Sequence, residues 1–280
     1  MTTTLTLGGD LTVNRLGYGA MRITGDGVWG DPKDLNAARK VLQRAVELGV
    51  NFIDTADSYG PEVSERLIGE ALAPYGPGIV IATKAGLTRQ GPSKWLPVGR
   101  PEYLIQQVEM SLRHLKVDRL DLWQLHRIDP KVPVEESLGA IKKLQDQGKI
   151  RHVGLSEVKP HEIDRARKVI NIVSVQNRYN IGDREHEDVV DYCTRHAIAF
   201  IPWYPVAAGK LAQPGGKLDV VAKNHHATVS QLSLAWLLRR SPIMLPIPGT
   251  SSIPHLEENM ASDQVTLTDS EWKQIEDAAR

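Results

Sequence analysis

Eight short runs of strand length, each followed by a longer stretch with helical spacing, constrain this chain more than any other feature. The runs are LGYG at 16–19, VNFID at 50–54, IVIATK at 79–84, LDLWQLH at 120–126, IRHVGLS at 150–156, IVSVQN at 172–177, AFIPW at 199–203 and IMLPIP at 243–248. Strands that alternate with helices become parallel strands joined by crossover helices. Eight of them predict an α/β fold, a (β/α)8 TIM barrel, and 280 residues suffice for one such barrel. The length also fits two smaller domains, but without a low-complexity segment or repeat to divide the chain, one domain over residues 1–280 is the simpler expectation.

Between the runs, Leu35, Ala38, Val41, Leu42 and Ala45 line one helical face, and Leu138, Ile141 and Leu144 another, with Gly49 and Gly148 as stop signals. Ahead of the first run, TLTL and LTV flank GGD, which predicts an N-terminal β-hairpin plugging the bottom of the barrel. The stretches 21–33 and 85–100 exceed what a minimal barrel needs, and both follow strands, so both are expected at the mouth where barrels keep their chemistry.

Polar, titratable residues recur at the ends of the second, third and fourth runs: Asp54, Lys84 and His126, with Tyr59 in the turn after Asp54. Taken singly, each has an ordinary reading. Asp54 caps the next helix, Lys84 is a solvated strand end and His126 is a hydrogen-bonded core residue. Together they form coherent proton-transfer chemistry. A tyrosine, with an unperturbed pKa of about 10, is a sluggish acid unless a cation stabilises its phenolate, which Lys84 supplies. Asp54 is then the counter-ion for a buried ammonium, and His126 orients the substrate oxygen.

The stretch NFIDTADSYG, the strand end ATK at 82–84 and LWQLHRID together resemble the aldo-keto reductases, from about Leu16 to Asn259. That resemblance implies an eight-stranded α/β barrel in which NADPH donates hydride to a carbonyl, with Asp54, Tyr59, Lys84 and His126 as the catalytic set. No GxGxxG follows the first strand, so a Rossmann reading lacks its phosphate-binding turn. By the same resemblance, Ser156 and Gln176 face the nicotinamide carboxamide, and Trp203 or its neighbour Tyr204 stacks on the ring. VAAGKL resembles the turn over the pyrophosphate, which assigns Val206, Gly209 and Lys210 to the cofactor. IPGTSSIPHLEEN resembles the segment that opens a helix beneath the adenosine phosphate, which adds Gly249, Ser251, Ser252, His255, Glu258 and Asn259. The chain departs from the family pattern at Glu157, where Asn is common, and at Gly249 and His255, where many members carry Lys and Arg. NADPH is the expected cofactor, with NADH as the alternative.

Trp29 and Trp95 lie in the two long mouth segments and are candidate pocket walls for flat or apolar carbonyl compounds. The sequence ends soon after its last helix, with no long tail to narrow the pocket, so an open site with broad aldehyde tolerance is expected. Within the family the chain looks closest to a bacterial branch that includes pyridoxal reductases, which makes pyridoxal the alternative substrate. A rival of another class is a cofactor-sensing subunit, since the same barrel serves potassium channels. Against it stand the four catalytic residues and the lack of an extension ahead of the barrel. A metal-dependent hydrolase ranks last, because no His and carboxylate cluster marks the strand ends and no metal is expected.

Lys plus Arg and Asp plus Glu number 34 each, so no net field draws the protein to nucleic acid or an anionic membrane. The single cysteine, Cys193, has no disulfide or metal partner and reads as filler. With no leader pattern and no spanning apolar run, a cytoplasmic protein acting on a small carbonyl compound is expected, and the sequence leaves the oligomeric state open, with a monomer favoured.

Overall fold

The computed structural model describes residues 4–206 and 214–279. Its strands are β1 (Thr4–Leu7), β2 (Leu11–Asn14), β3 (Tyr18–Gly19), β4 (Phe52–Asp54), β5 (Val80–Ala85), β6 (Leu87–Arg89), β7 (Trp95–Pro97), β8 (Leu120–Leu125), β9 (Ile150–Ser156), β10 (Ile172–Gln176) and β11 (Ala199–Phe200). The helices are α1 (Leu35–Glu47), α2 (Val63–Leu72), α3 (Pro101–Leu115), α4 (Val134–Asp146), α5 (Pro160–Arg167), α6 (Glu187–Arg195), α7 (Lys217–Asn224), α8 (Val229–Arg240), α9 (Ile253–Met260) and α10 (Asp269–Ala279). Seven strands form one parallel sheet in the order β11-β10-β9-β8-β5-β4-β3.

Residues 243–248, expected as the eighth strand, are not a regular strand, yet they are hydrogen-bonded to both edges of that sheet. Phe200 N donates to Ile243 O and Leu245 N to Phe200 O, each at 2.9 Å, while Gly17 N donates to Pro246 O at 2.9 Å and Gly19 N to Pro248 O at 3.4 Å. Pro246 and Pro248 have no N–H to return, so the bonds to the β3 side run one way only. The seventh run is likewise shortened to two residues, although Ile201 N and Trp203 N continue the ladder onto Val175 O and Asn177 O at 2.8 and 3.1 Å.

Side chains alternate across each strand and so fill two apolar layers. Outward residues such as Ile53, Ile81, Trp123, Val153 and Val175 pack against the helices, where Ala38, Val41, Leu42 and Ala45 of α1 and Leu138, Ile141 and Leu144 of α4 are buried as their spacing predicted. Asp34 caps α1 by accepting from Ala37 N, and Gly49, at φ 88°, takes the left-handed turn that ends it. Inward residues Phe52, Val80, Ala82, Leu122, Ala199 and Leu245 form a second cluster with Leu7, Leu11 and Val13. Those last three come from the β1–β2 hairpin, which therefore closes the N-terminal end of the sheet. Its turn is pinned by Asp10, which bonds His152 Nε2 at 2.6 Å and Arg151 Nη2 at 2.9 Å.

The segment 85–100 contains a second hairpin, β6–β7, which sequence spacing did not reveal. Cys193 is buried in α6, where burial pushes its thiol up to about 12, so it is chemically quiet. Among the described residues no helix is long and apolar enough to cross a membrane.

Candidate active site

Along the inner face of the sheet the alternation runs from apolar to polar. Phe52 is followed two residues on by Asp54, Val80 and Ala82 by Lys84, and Leu122 by Gln124 and His126. Parallel pairing aligns these positions, with Asp54 opposite Ala82 and Lys84 opposite Gln124, so the polar residues form one layer above the apolar plug. Thr55 N and Asp57 N extend the ladder by donating to Ala82 O and Lys84 O at 2.8 and 3.0 Å. This ties down the loop that carries Tyr59 back over Lys84. Gly60, at φ 106°, completes the turn, and a Cβ there would lie 2.3 Å from Val63 Cβ.

Lys84 is fully buried and its ammonium is saturated. Nζ donates to Asp54 Oδ2 and Thr55 O, both at 2.7 Å, and to Tyr59 Oη at 3.3 Å. Gln176 Nε2 and Gln124 Nε2 satisfy the other carboxylate oxygen, Asp54 Oδ1, at 2.8 and 3.3 Å. Burial opposes the charged lysine, but Asp54 and Tyr59 together outweigh it and hold its pKa above the ordinary value.

The phenol behaves differently from the sequence-based expectation. Burial raises the Tyr59 pKa, the Lys84 charge lowers it, Asp54 raises it again, and the net result lies above the ordinary value. Lys84 therefore limits the rise rather than making the resting phenol acidic, because desolvation of a phenolate is the larger effect. Tyr59 is protonated at neutral pH, the state a proton donor requires.

His126 follows directly on β8, its ring centroid 5.8 Å from that of Tyr59 in an edge-on arrangement. Burial first, then the charges of Lys84, Arg127 and Arg89, hold its pKa well below the ordinary imidazole range, so the ring is neutral. Ser58 Oγ lies 3.3 Å from Nδ1. Trp95 closes the group, with its ring 6.3 Å from Tyr59 and 6.4 Å from His126. Trp29 is bridged to Gly60 through the backbone.

Ser156 ends β9 opposite Gln176 at the end of β10. Its Oγ accepts from Arg127 Nη1 at 3.1 Å, and the same nitrogen donates to His126 O at 2.6 Å. Glu157, the departure from the family pattern, takes a left-handed backbone at φ 54° and accepts from Trp203 Nε1 at 2.6 Å and Arg178 N at 2.7 Å. Trp203 is thereby fixed by a carboxylate, whereas Tyr204 is half-exposed and lies under the Arg178 guanidinium. Val206 packs against the outer apolar layer. Gly209 and Lys210 lie outside the described residues.

The segment 249–259 meets the end of β3, where a Cβ on Gly249 would stand 2.7 Å from Gly19 O. Ser252 is the N-cap of α9 but its hydroxyl makes no bond to the helix, and Ser251 and His255 are exposed. Glu258 is engaged elsewhere, accepting from Thr228 Oγ1 at 2.7 Å, and Asn259 is buried. The structure thus joins Asp54, Tyr59, Lys84, His126 and Gln176 in one contact network with Ser156 at its rim, and holds the 249–259 group apart at the β3 edge.

Sequence reading missed Gln124, Arg127 and Arg89. Gln124 was accessible by stepping back two residues from His126. Arg89 bonds to backbone carbonyls, and Arg127 to the His126 carbonyl and the Ser156 hydroxyl, which no residue pattern signals.

A sequence model of the Aldo/keto reductase family matches residues 15–280. An uncharacterized oxidoreductase of Schizosaccharomyces pombe is 53% identical over 97% of this chain and 89% of its own length. Pyridoxine 4-dehydrogenase of Escherichia coli is 44% identical over 95% of this chain and 94% of its own. Among solved structures, an aldo-keto reductase from Klebsiella pneumoniae in complex with NADPH superimposes with a TM-score of 0.83 at 25% identity, covering 99% of this chain and 95% of the other.

Proposed function

Since the chain belongs to the aldo/keto reductase family, we propose that it reduces aldehydes or ketones to alcohols with NADPH, in a (β/α)8 barrel whose eighth position is taken by the irregular segment 243–248. The single observation that carries this reading is the bond from Lys84 Nζ to Tyr59 Oη. Tyr59 Oη accepts there, so its own hydrogen is available to a substrate oxygen. As that proton leaves, the phenolate gains the Lys84 charge as a neighbour in a buried site, and the attraction is stronger after transfer than before. Ser58 Oγ lies 3.3 Å from His126 Nδ1, and in the tautomer with the proton on Nε2 the neutral imidazole orients the same oxygen.

The donor set fits a nicotinamide carboxamide. Ser156 Oγ accepts from Arg127 and retains its proton to donate, and Gln176, whose Nε2 is engaged by Asp54, presents Oε1 as an acceptor. Trp203, held by Glu157, is the ring that stacks. When bound, the nicotinamide supplies the hydride that reduces the carbonyl carbon. Ser251, Ser252 and the first amides of α9 suit the adenosine phosphate, and Arg22, exposed beside Gly249, adds a cation there. That cation supports NADPH over NADH.

Pyridoxal is a second reading, favoured by the relative named pyridoxine 4-dehydrogenase. The test is NADPH oxidation followed at 340 nm with pyridoxal and a simple aromatic aldehyde side by side. Turnover of both supports the reductase, a clear excess with pyridoxal supports the vitamin substrate, and no oxidation with any carbonyl overturns the assignment.

A further inference from the structure

Arg89 is the half-buried last residue of β6, and its guanidinium is bonded entirely to backbone carbonyls. Nη1 donates to Val28 O at 2.6 Å and Ser58 O at 2.7 Å, Nη2 to Gly27 O at 2.9 Å and Gly91 O at 3.4 Å, and Nε to Lys94 O at 2.9 Å. Three separate stretches of the mouth converge on this one side chain: the loop before α1, the turn carrying Tyr59, and the β6–β7 hairpin. Its Cζ also lies 3.6 Å from the centroid of the Trp95 ring and 5.7 Å from that of Trp29.

We propose that Arg89 is a positioning residue that holds Trp95 at the rim of the Tyr59–His126 pair and so selects flat aromatic aldehydes over short aliphatic ones. Trp95 is partly exposed and is the cross-strand partner of Arg89 in the β6–β7 hairpin, so the guanidinium covers the indole face that Tyr59 and His126 leave open. One indole face is covered by the guanidinium, an attraction that adds to the ring's packing. The ring stands edge-on to both Tyr59 and His126, so an aromatic substrate whose carbonyl reaches Tyr59 Oη passes along it. A three-carbon aldehyde offers the indole much less apolar surface to pack against. Five donors in a fixed fork are what a lysine cannot reproduce, so charge alone does not make the clamp.

The selection rests on the reductase reading above; the clamp does not. Both are tested with Arg89→Lys, Trp95→Ala and the double variant, using NADPH with 4-nitrobenzaldehyde and with propanal, alongside hydrogen–deuterium exchange of each protein. The expected result is a fall of about tenfold in the ratio of kcat/KM for the aromatic over the aliphatic aldehyde, arising in KM, in either single variant. The double variant should fall no further, because the two residues act as one unit. Exchange should quicken in 25–31 and 91–97 in Arg89→Lys while β5 and β8 keep their protection. Equal losses on both aldehydes, additive losses or an unaltered ratio would overturn the selection. Unaltered exchange in those segments would overturn the clamp. No turnover of any carbonyl by the unaltered protein would remove the reductase reading and the selection with it, and exchange would still decide the clamp.

Discussion

Lys84 Nζ stands 3.3 Å from Tyr59 Oη while Asp54 and Thr55 take its other two hydrogens, each at 2.7 Å. The ammonium is fully buried and the carboxylate nearly so. Removing one partner from such a pair leaves the other as an uncompensated buried charge. Lys84→Met should therefore destabilise the fold by about 3–5 kcal/mol, read as a lower midpoint in urea unfolding, as well as abolishing turnover. A variant as stable as the parent would show that the pair contributes little.

His126 gives a pH signature with a definite sign. Its folded-state pKa is depressed, so in the acid range the unfolded chain binds a proton that the folded chain refuses. This contribution to stability is fully present above about 6.5 and is lost as the pH falls below it. Denaturant midpoints measured from pH 7.5 down to 5 should fall more steeply in the parent than in His126→Asn. Parallel curves would mean that the ring titrates normally.

Glu157 acts in a lower window. Burial works against its charge, but bonds from His186, Trp203 and the Arg178 amide, with the Arg127 charge, bring its pKa down to about 2. That stability is present above the ordinary value of 4.5 and is lost as the pH falls towards 2. Glu157→Gln should flatten the acid limb of a thermal-stability profile between those limits. It should also weaken NADPH quenching of tryptophan fluorescence, since Trp203 loses a charged acceptor.

Gly249 meets the Gly19 carbonyl at a distance no Cβ tolerates. Because the obstacle is backbone, Gly249→Ala should cost about 1–3 kcal/mol and displace the α9 segment. Weaker NADPH binding by titration, with aldehyde KM little affected, would place the adenosine phosphate at that segment. Unchanged binding would place it elsewhere.

Much of this architecture was legible because period-two alternation is local. The same step that marks Val80 and Ala82 as inward marks Lys84, and the step from Leu122 leads through Gln124 to His126. The ends of the sheet were less legible. Residues 243–248 look like a strand by composition, yet prolines without N–H groups give them one-way bonds to the β3 side. Loop architecture was hidden for another reason: Arg89 is anchored by carbonyls, and every residue has one. The direction of the Tyr59 shift depends on how deeply the phenol is buried, which spacing along the chain does not encode.

In the proposed reaction the Tyr59 hydroxyl, poised by Lys84, delivers the proton that completes carbonyl reduction. That step is tested most directly by mixing NADPH-loaded Tyr59→Phe with a saturating aromatic aldehyde in a stopped-flow instrument, after confirming that the variant binds NADPH and melts like the parent. The single-turnover rate should fall by about 10²–10⁴-fold, the range a positioned general acid contributes. A rate within a few fold of the parent would contradict it.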